Sequence, residues 1–265
     1  MGLFLWDSEP SKIFVGDTPI SKVFLWDTKI RPSGWWGWQP WANTIAYYPL
    51  ETDANDYSWN NKNPTTVGSA VTFWTDSDGN KCAKFIANTN SYISYWTSWS
   101  AVNFWTTDIT IAFWLGDLTN NTGSTWSYSN WILTWQYWWS HAVWMYIAAT
   151  PNVWSPSIPQ GSLYFGSSWY HPNGLTSYSL YWVNWMHCYV LTTDTSWNYT
   201  LYIDGTSYKT STFTAANLSW NNCYMWYDPW DSNTLRHLVW NLRQVVFENK
   251  KWTAQEVSDY YNSTK

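Results

Sequence analysis

Residues 43–265 alternate between short apolar runs and clusters of Ser, Thr, Asn, Asp and Gly, and a helical period appears only once, at the C-terminus. That spacing excludes a helical bundle and a βα alternation, and it points to many short antiparallel strands packed as a sandwich. Strand signals fall at Ile45–Leu50, Val71–Phe73, Ala83–Ile86, Tyr92–Tyr95, Ile109–Leu115, Met186–Thr192, Tyr199–Ile203 and Leu242–Phe247. Ser77-Asp78-Gly79-Asn80 and Asp204-Gly205 read as hairpin turns, because Asn, Asp and Gly tolerate the left-handed backbone that tight turns require. Near the end, Thr253-Ala254-Gln255-Glu256 is a capping box. It predicts a short helix to about Tyr261 that docks Val257 and Tyr260 on the sandwich. The fold class expected is all-β: two antiparallel sheets and one short C-terminal helix.

Composition enters through one anomaly. The 265 residues include 28 Trp but only 12 Gly, against an ordinary glycine usage of about 7%. Most of the tryptophans lie outside apolar periodic positions. The first 32 residues carry a ten-residue repeat, Phe4-Leu5-Trp6-Asp7, Phe14-Val15-Gly16-Asp17 and Phe24-Leu25-Trp26-Asp27, whose third position is Trp, Gly, Trp. Residues 33–42, which include Gly34-Trp35-Trp36-Gly37-Trp38, form an exposed indole cluster as written and a flexible glycine-rich linker if those tryptophans are glycine. Ser-Trp-Asn recurs at residues 58–60, 196–198 and 219–221, in polar stretches where turn chemistry favours glycine. Trp126, Trp131, Trp135, Trp138, Trp139 and Trp169 sit among Ser, Asn, Tyr and Gly. The expectation is that UGA codons, read as Trp by one genetic code, stand for Gly in the source. Moving about 24 residues gives roughly 36 glycines, about 14% of the chain, a tolerable share for a loop-rich β protein. Trp114, Trp185 and Trp252 occupy apolar strand or helix positions and read as genuine tryptophan; Trp230 stays open. The other account is a Trp-rich carbohydrate binder.

Residues 43–265 resemble the laminin-G-like, concanavalin A-like lectin-glucanase jelly-roll domains. The resemblance rests on ordered motifs: Tyr48-Pro49-Leu50, Asp56-Tyr57-Ser58-Trp59-Asn60, Ile109–Trp114, Trp185-Met186-His187, Leu201-Tyr202-Ile203-Asp204-Gly205, Tyr224-Met225-Trp226, Leu242–Phe247 and Trp252–Val257. It implies a two-sheet antiparallel jelly roll that binds a ligand, and a rim calcium for which Asp56 is the candidate. Where the family often carries an acidic pair, this chain has Asn241-Leu242-Arg243-Gln244, which puts a calcium site using those acids in doubt. The N-terminal repeats are similar to short repeats of phage tail proteins. Three segments are expected: repeats over 1–32, a linker over 33–42 and the jelly roll over 43–265.

Chemistry narrows the function. The net charge of −5 disfavours a phosphate-tracking nucleic-acid binder. No apolar run approaches the roughly 18 residues of a membrane span, and the N-terminus lacks the pattern of a standard signal peptide. Cys82, Cys188 and Cys223 form no CxxC pair, so neither a disulfide framework nor a thiolate metal site is expected. Glu9, Glu51, Glu248 and Glu256 are the only glutamates. None lies in the alternation that would set two carboxylates about 5–5.5 Å apart for glycoside hydrolysis. His141, His171, His187 and His237 lack metal-ligand spacing, and His187 reads as a packed strand residue. Asp76-Ser77-Asp78-Gly79-Asn80 has alternating oxygens but no glutamate at the twelfth calcium-loop position, so it reads as a turn. Tyr128, Tyr137, Tyr170 and Tyr181, in or beside long middle loops, are candidates for stacking on a sugar, though nothing separates them from tyrosines that merely pack.

The reading that follows is a non-enzymatic phage structural protein of the tail or another virion appendage. No catalytic residue is expected, no cofactor is required, and calcium is the one ion the resemblance suggests. Surface glycans, other virion proteins and further copies of the chain in a homo-oligomer are the expected partners. The alternative is a secreted or cell-surface bacterial adhesion protein; a glycoside hydrolase is the third.

Overall fold

The computed structural model of the chain describes residues 13–15, 18–20, 23–25, 28–30, 40–86, 90–95, 107–119, 130–137, 140–147, 162–166, 175–179, 185–196, 198–212, 222–225 and 239–265. It divides into two compact units, residues 1–39 with 263–265, and residues 40–262.

In the first unit the ten-residue repeat folds as hairpins. Strand β1 (Ile13–Val15) pairs with β2 (Thr18–Ile20), and β3 (Val23–Leu25) pairs with β4 (Thr28–Ile30). The register sets Val15 opposite Thr18 and Leu25 opposite Thr28. Each hairpin is thus joined by two residues, Gly16-Asp17 in one and Trp26-Asp27 in the other.

The second unit is all-β with one helix. Its strands run β5 (Thr44–Tyr48), β6 (Thr66–Val67), β7 (Thr72–Thr75), β8 (Lys81–Phe85), β9 (Ile93–Tyr95), β10 (Ile109–Thr119), β11 (Asn130–Tyr137), β12 (Ser140–Ile147), β13 (Ser162–Gly166), β14 (Leu175–Ser179), β15 (His187–Thr193), β16 (Asn198–Ile203), β17 (Thr206–Thr212), β18 (Asn222–Met225) and β19 (Val239–Glu248), followed by α1 (Ala254–Thr264). One sheet has the order β17-β16-β15-β10-β19-β8-β7, with β5 also paired to β19; the other has the order β14-β13-β12-β11-β18-β9-β6. The ladders described are antiparallel.

Period-two alternation decides which residues meet between the sheets. Ile109, Ile111, Phe113 and Leu115 of β10 point inward, with Tyr189 and Leu191 of β15, Tyr199 and Leu201 of β16, Phe85 of β8 and Trp240 and Leu242 of β19. Ile93, Tyr95 and Met225 enter the same core from the second sheet. The rings of Tyr48 and Tyr95 lie 4.5 Å apart across the interior, so the two sheets form a sandwich. A buried ring of this kind typically costs about 3–5 kcal/mol to truncate.

Strand β19 changes partner along its length. It pairs with β8 over Trp240–Leu242 and with β5 over Val245–Glu248. At the handover Gln244 takes a positive φ of 55° and donates its N–H to the Pro49 carbonyl. Helix α1 begins with the expected capping box: Thr253 Oγ1 accepts the Glu256 N–H at 3.2 Å, and Glu256 Oε2 accepts the Thr253 N–H at 2.8 Å. Val257 and Tyr260 are buried, and the Tyr260 hydroxyl donates to the Gln244 carbonyl on β19. The helix thereby covers part of the outer face of the larger sheet. Both sequence-read turns are present. Gly79 has φ +87°, and the Asp204-Gly205 pair, with φ +50° and +76°, joins Ile203 to Thr206.

The region read as long middle loops contains β11 to β14, and Tyr137 closes β11. Tyr128, Tyr170 and Tyr181 lie outside the described residues, as do Trp6, Trp26, Trp35, Trp36, Trp126, Trp138, Trp139, Trp169, Trp197, Trp220, Trp226 and Trp230. Trp41, assigned to the linker, belongs to the second unit. Its N–H donates to Thr44 Oγ1 at 2.8 Å and its ring lies 5.5 Å from that of Trp252.

Candidate functional site

Residues that alternate away from the core share the outer face of the larger sheet: Trp74, Cys82, Lys84, Trp114, Gly116, Asn241 and Arg243. Helix α1 screens Trp114, whose ring stacks on Tyr261 at 5.7 Å with 17° between planes. Toward β7 the face reaches solvent. Trp74 is 41% exposed there, donates its indole N–H to Asn241 Oδ1 at 2.9 Å, and carries the Lys84 ammonium 3.7 Å above its ring. Asn241 Nδ2 donates to Asp117 at 2.5 Å. Asp117 also accepts the Ser77 backbone N–H at 3.1 Å and the Ser77 hydroxyl at 2.6 Å. The result is an indole with an ammonium over one ring face and an amide, a carboxylate and a hydroxyl in sequence beyond its N–H. That combination can stack on an apolar ring face and hydrogen-bond the hydroxyls around it.

Below this rim lies a buried ion pair. Arg243 Nε bonds Asp76 Oδ2 at 3.1 Å, and its guanidinium carbon sits 4.3 Å over the Trp114 ring. Burial pushes the Asp76 carboxyl up, opposed by the backbone N–H of Asn80 and by Arg243. Asp76 Oδ1 accepts the N–H groups of Asp78 and Asn80 at 3.0 and 2.8 Å. Both carboxylate oxygens of Asp76, the first residue of the segment that suggested a calcium loop, are thus engaged. Burial, with Asp76 and Asp117 nearby, pushes the Cys82 thiol up to about 12, so it stays protonated and a poor nucleophile at neutral pH.

Next to the rim the chain crosses itself closely. A Cβ on Gly116 would fall 2.3 Å from the Trp185 carbonyl oxygen, so only glycine fits there. Trp185 itself departs from the sequence expectation. It precedes β15 at a bend and is 64% exposed, rather than filling an apolar strand position. Trp114 and Trp252 are buried as expected, and Trp240 is also fully buried, edge-on to Phe85. By contrast Trp59, in the first of the Ser-Trp-Asn tripeptides, sits in a turn and is 56% exposed.

Asp56, the calcium candidate, organises its own loop. Its Oδ1 accepts the N–H groups of Tyr47 and Ser58, and its Oδ2 accepts the Ser58 hydroxyl and the Lys62 N–H, all at 2.7–3.0 Å. A cation taking either oxygen competes with these four donors. Among the described residues there is no group of three or more His, Cys, Asp or Glu able to hold a metal ion.

His187 is a strand residue with a defined partner. Its Nδ1 lies 2.5 Å from Asp204 Oδ2, while Asp204 Oδ1 accepts the Cys188 N–H at 2.9 Å. The pair ties the start of β15 to the Asp204-Gly205 turn. The glutamates are dispersed: Glu51 is exposed, Glu256 caps α1 and Glu248 is buried at the end of β19. Sequence reading missed both the Trp74–Asn241–Asp117 rim and Glu248. The rim joins residues up to 167 positions apart, and only strand order brings them together.

No protein-family model matches the chain, and no curated protein matches it. Solved structures do. The binding domain of Paraclostridial Mosquitocidal Protein 1 aligns at 16% identity with a TM-score of 0.63, over 83% of this chain and 52% of that one. The binding domain of botulinum neurotoxin serotype G aligns at 18% identity with a TM-score of 0.60, over 83% and 50%. The ligand-binding domain of botulinum neurotoxin serotype D in complex with N-acetylneuraminic acid aligns at 12% identity with a TM-score of 0.59, over 83% and 50%. The chain therefore spans about half the length of these structures, and the likeness is one of fold.

Proposed function

We propose that the chain is a non-enzymatic phage structural protein, in the tail or another virion appendage, whose concanavalin A-like jelly-roll sandwich binds a surface glycan or a neighbouring virion protein. The observation that carries the binding part is the shared fold with receptor- and ligand-binding domains, one of them in complex with N-acetylneuraminic acid. The rim of Trp74, Lys84, Ser77 and Asp117 supplies aromatic surface beside hydroxyl-binding groups. The hairpin repeats would serve attachment, and copies of the chain would associate as a homo-oligomer. No cofactor is required; a rim calcium at Asp56 would have to displace donors already in place.

The same reading takes the turn tryptophans and those at residues 35–38 as glycine in the source, and keeps Trp41 and strand Trp74, whose side chains are engaged in the fold, as tryptophan. The hairpin register supports it. Two-residue connections favour types I′ and II′, which need positive φ in the central residues and hence glycine. Gly16 meets that need in the first hairpin, and position 26 is its equivalent in the second.

Two experiments test this. The full chain is applied to a glycan array and to envelopes of the source host, with and without calcium. Selective binding that Trp74→Ala weakens at least tenfold is expected, and absence of binding on every surface overturns the proposal. Peptide mass spectrometry of native virions is expected to find glycine at positions 6, 26, 35, 36, 59 and 197. Tryptophan there overturns the codon reading, and recovery from cell envelopes alone makes the adhesion protein the better account.

A further inference from the structure

Glu248 is buried where four pieces of chain meet. It closes β19, and its register neighbours are Thr44, the first residue of β5, and Thr110 on β10. Its side chain is fully shielded from solvent, and Oε1 accepts the Thr44 hydroxyl. That same Thr44 oxygen receives the Trp41 N–H. Thr110 Oγ1 donates to the Lys250 carbonyl at 2.7 Å and accepts the Trp252 N–H at 2.9 Å. The Trp252 ring lies against both Trp41 and Tyr260. The charged groups facing the carboxyl are Lys250 and Glu256, which are paired to each other; Thr44, Thr110, Trp41 and Trp252 carry no charge. No arginine or lysine neutralises Glu248 directly in the described structure.

We propose that Glu248 is a protonation latch: its neutral form holds the entry segment Pro40–Thr44 and the lead into α1 against the sheet, and its ionisation loosens both. A neutral carboxylic acid can remain in such a site, whereas an ionised one must regain solvation by local opening. Burial is the main cause of a shift in this carboxyl to about 7, opposed by the Thr44 and Trp252 hydrogen bonds and by Lys250. The latch lies within the second unit, whose first residue is Pro40. Acidification would therefore fasten the first residues of this unit to its sheet, and neutral or alkaline conditions would release them.

Hydrogen exchange on the full chain, corrected for intrinsic pH dependence, tests the latch. Protection at residues 41–45 and 250–254 is expected to fall at least tenfold between pH 6 and pH 8, while core strands β10 and β15 stay protected. Glu248→Gln is expected to keep the protected state across that range. Thr44→Val, which removes a donor to the ionised form, is expected to move the midpoint to higher pH. Unchanged protection in the native chain overturns the proposal, as does a Glu248→Gln chain with the same pH response. If Glu248→Gln does not fold, the direct carboxyl titration by nuclear magnetic resonance decides: a midpoint near 4.5 overturns the latch and one near 7 supports it.

Discussion

The two ends of β19 handle buried charge differently. At the end near β8, Arg243 and Asp76 are both buried but paired, and the guanidinium also rests on Trp114. At the end near β5, Glu248 is buried with a hydroxyl as its close partner and an ion pair, Lys250–Glu256, spent on itself nearby. The same strand and the same outer face thus carry one charge compensated within the sheet and one that burial holds close to neutral. A counter-ion within bonding distance makes a buried charge a permanent part of the fold, whereas a lone carboxyl makes its region responsive to pH.

The largest effect should come from breaking the paired end. Arg243→Ala leaves Asp76 buried without its cation and is expected to destabilise the chain by about 3–5 kcal/mol, measured by urea denaturation at pH 7. A loss below about 1 kcal/mol would mean that solvent reaches Asp76 and that the ends are alike.

The responsive end is read by pH. The native carboxyl of Glu248 sits at about 7 against an ordinary 4.5. Between those values the folded chain holds a proton that the unfolded chain has lost, so stability is present in acid and falls as pH rises through 7. The full difference is about 3 kcal/mol. Denaturation at pH 5 and pH 8 is expected to show most of it, and Glu248→Gln to remove it. Asp76, also raised by burial, adds a trend of the same sign at lower pH, which the Glu248→Gln chain should retain.

Smaller effects sharpen the contrast. Trp114→Leu removes the ring beneath Arg243 and should cost about 1–3 kcal/mol without changing the pH response. Thr253→Ala removes one half of the capping box beside the responsive end. A loss of about 1 kcal/mol is expected, seen as a lower denaturation midpoint with the pH profile intact.

Much of the architecture was legible in the sequence because alternation and turn chemistry are local. Ile109–Leu115, Met186–Thr192, Tyr199–Ile203 and Leu242–Phe247 were read within a few residues of β10, β15, β16 and β19, and the Thr253–Glu256 box placed α1. Strand β17, Thr206–Thr212, was missed because its residues are mostly polar, as suits an edge exposed to water. Strands β11 to β14 were missed because Ser, Asn and Trp interrupt their alternation. Trp185 was misplaced because its neighbour Met186 is buried, and one residue's step along the chain reverses the face. The rim was illegible for another reason. Trp74, Asp117 and Asn241 have no spacing in common, and β10, β19, β8 and β7 bring them together only once the strand order exists.

The composition of β17 has one more consequence. Among the described strands β17 is the last of its sheet, and its residues are Thr, Ser, Tyr, Lys, Thr, Ser and Thr, with a register shift opposite Leu201–Tyr202. An irregular edge with an ammonium in it is a poor template for fibril growth. Concentrated preparations of the folded chain should therefore resist amyloid-type stacking along this margin, and Lys209→Val would be the change that invites it.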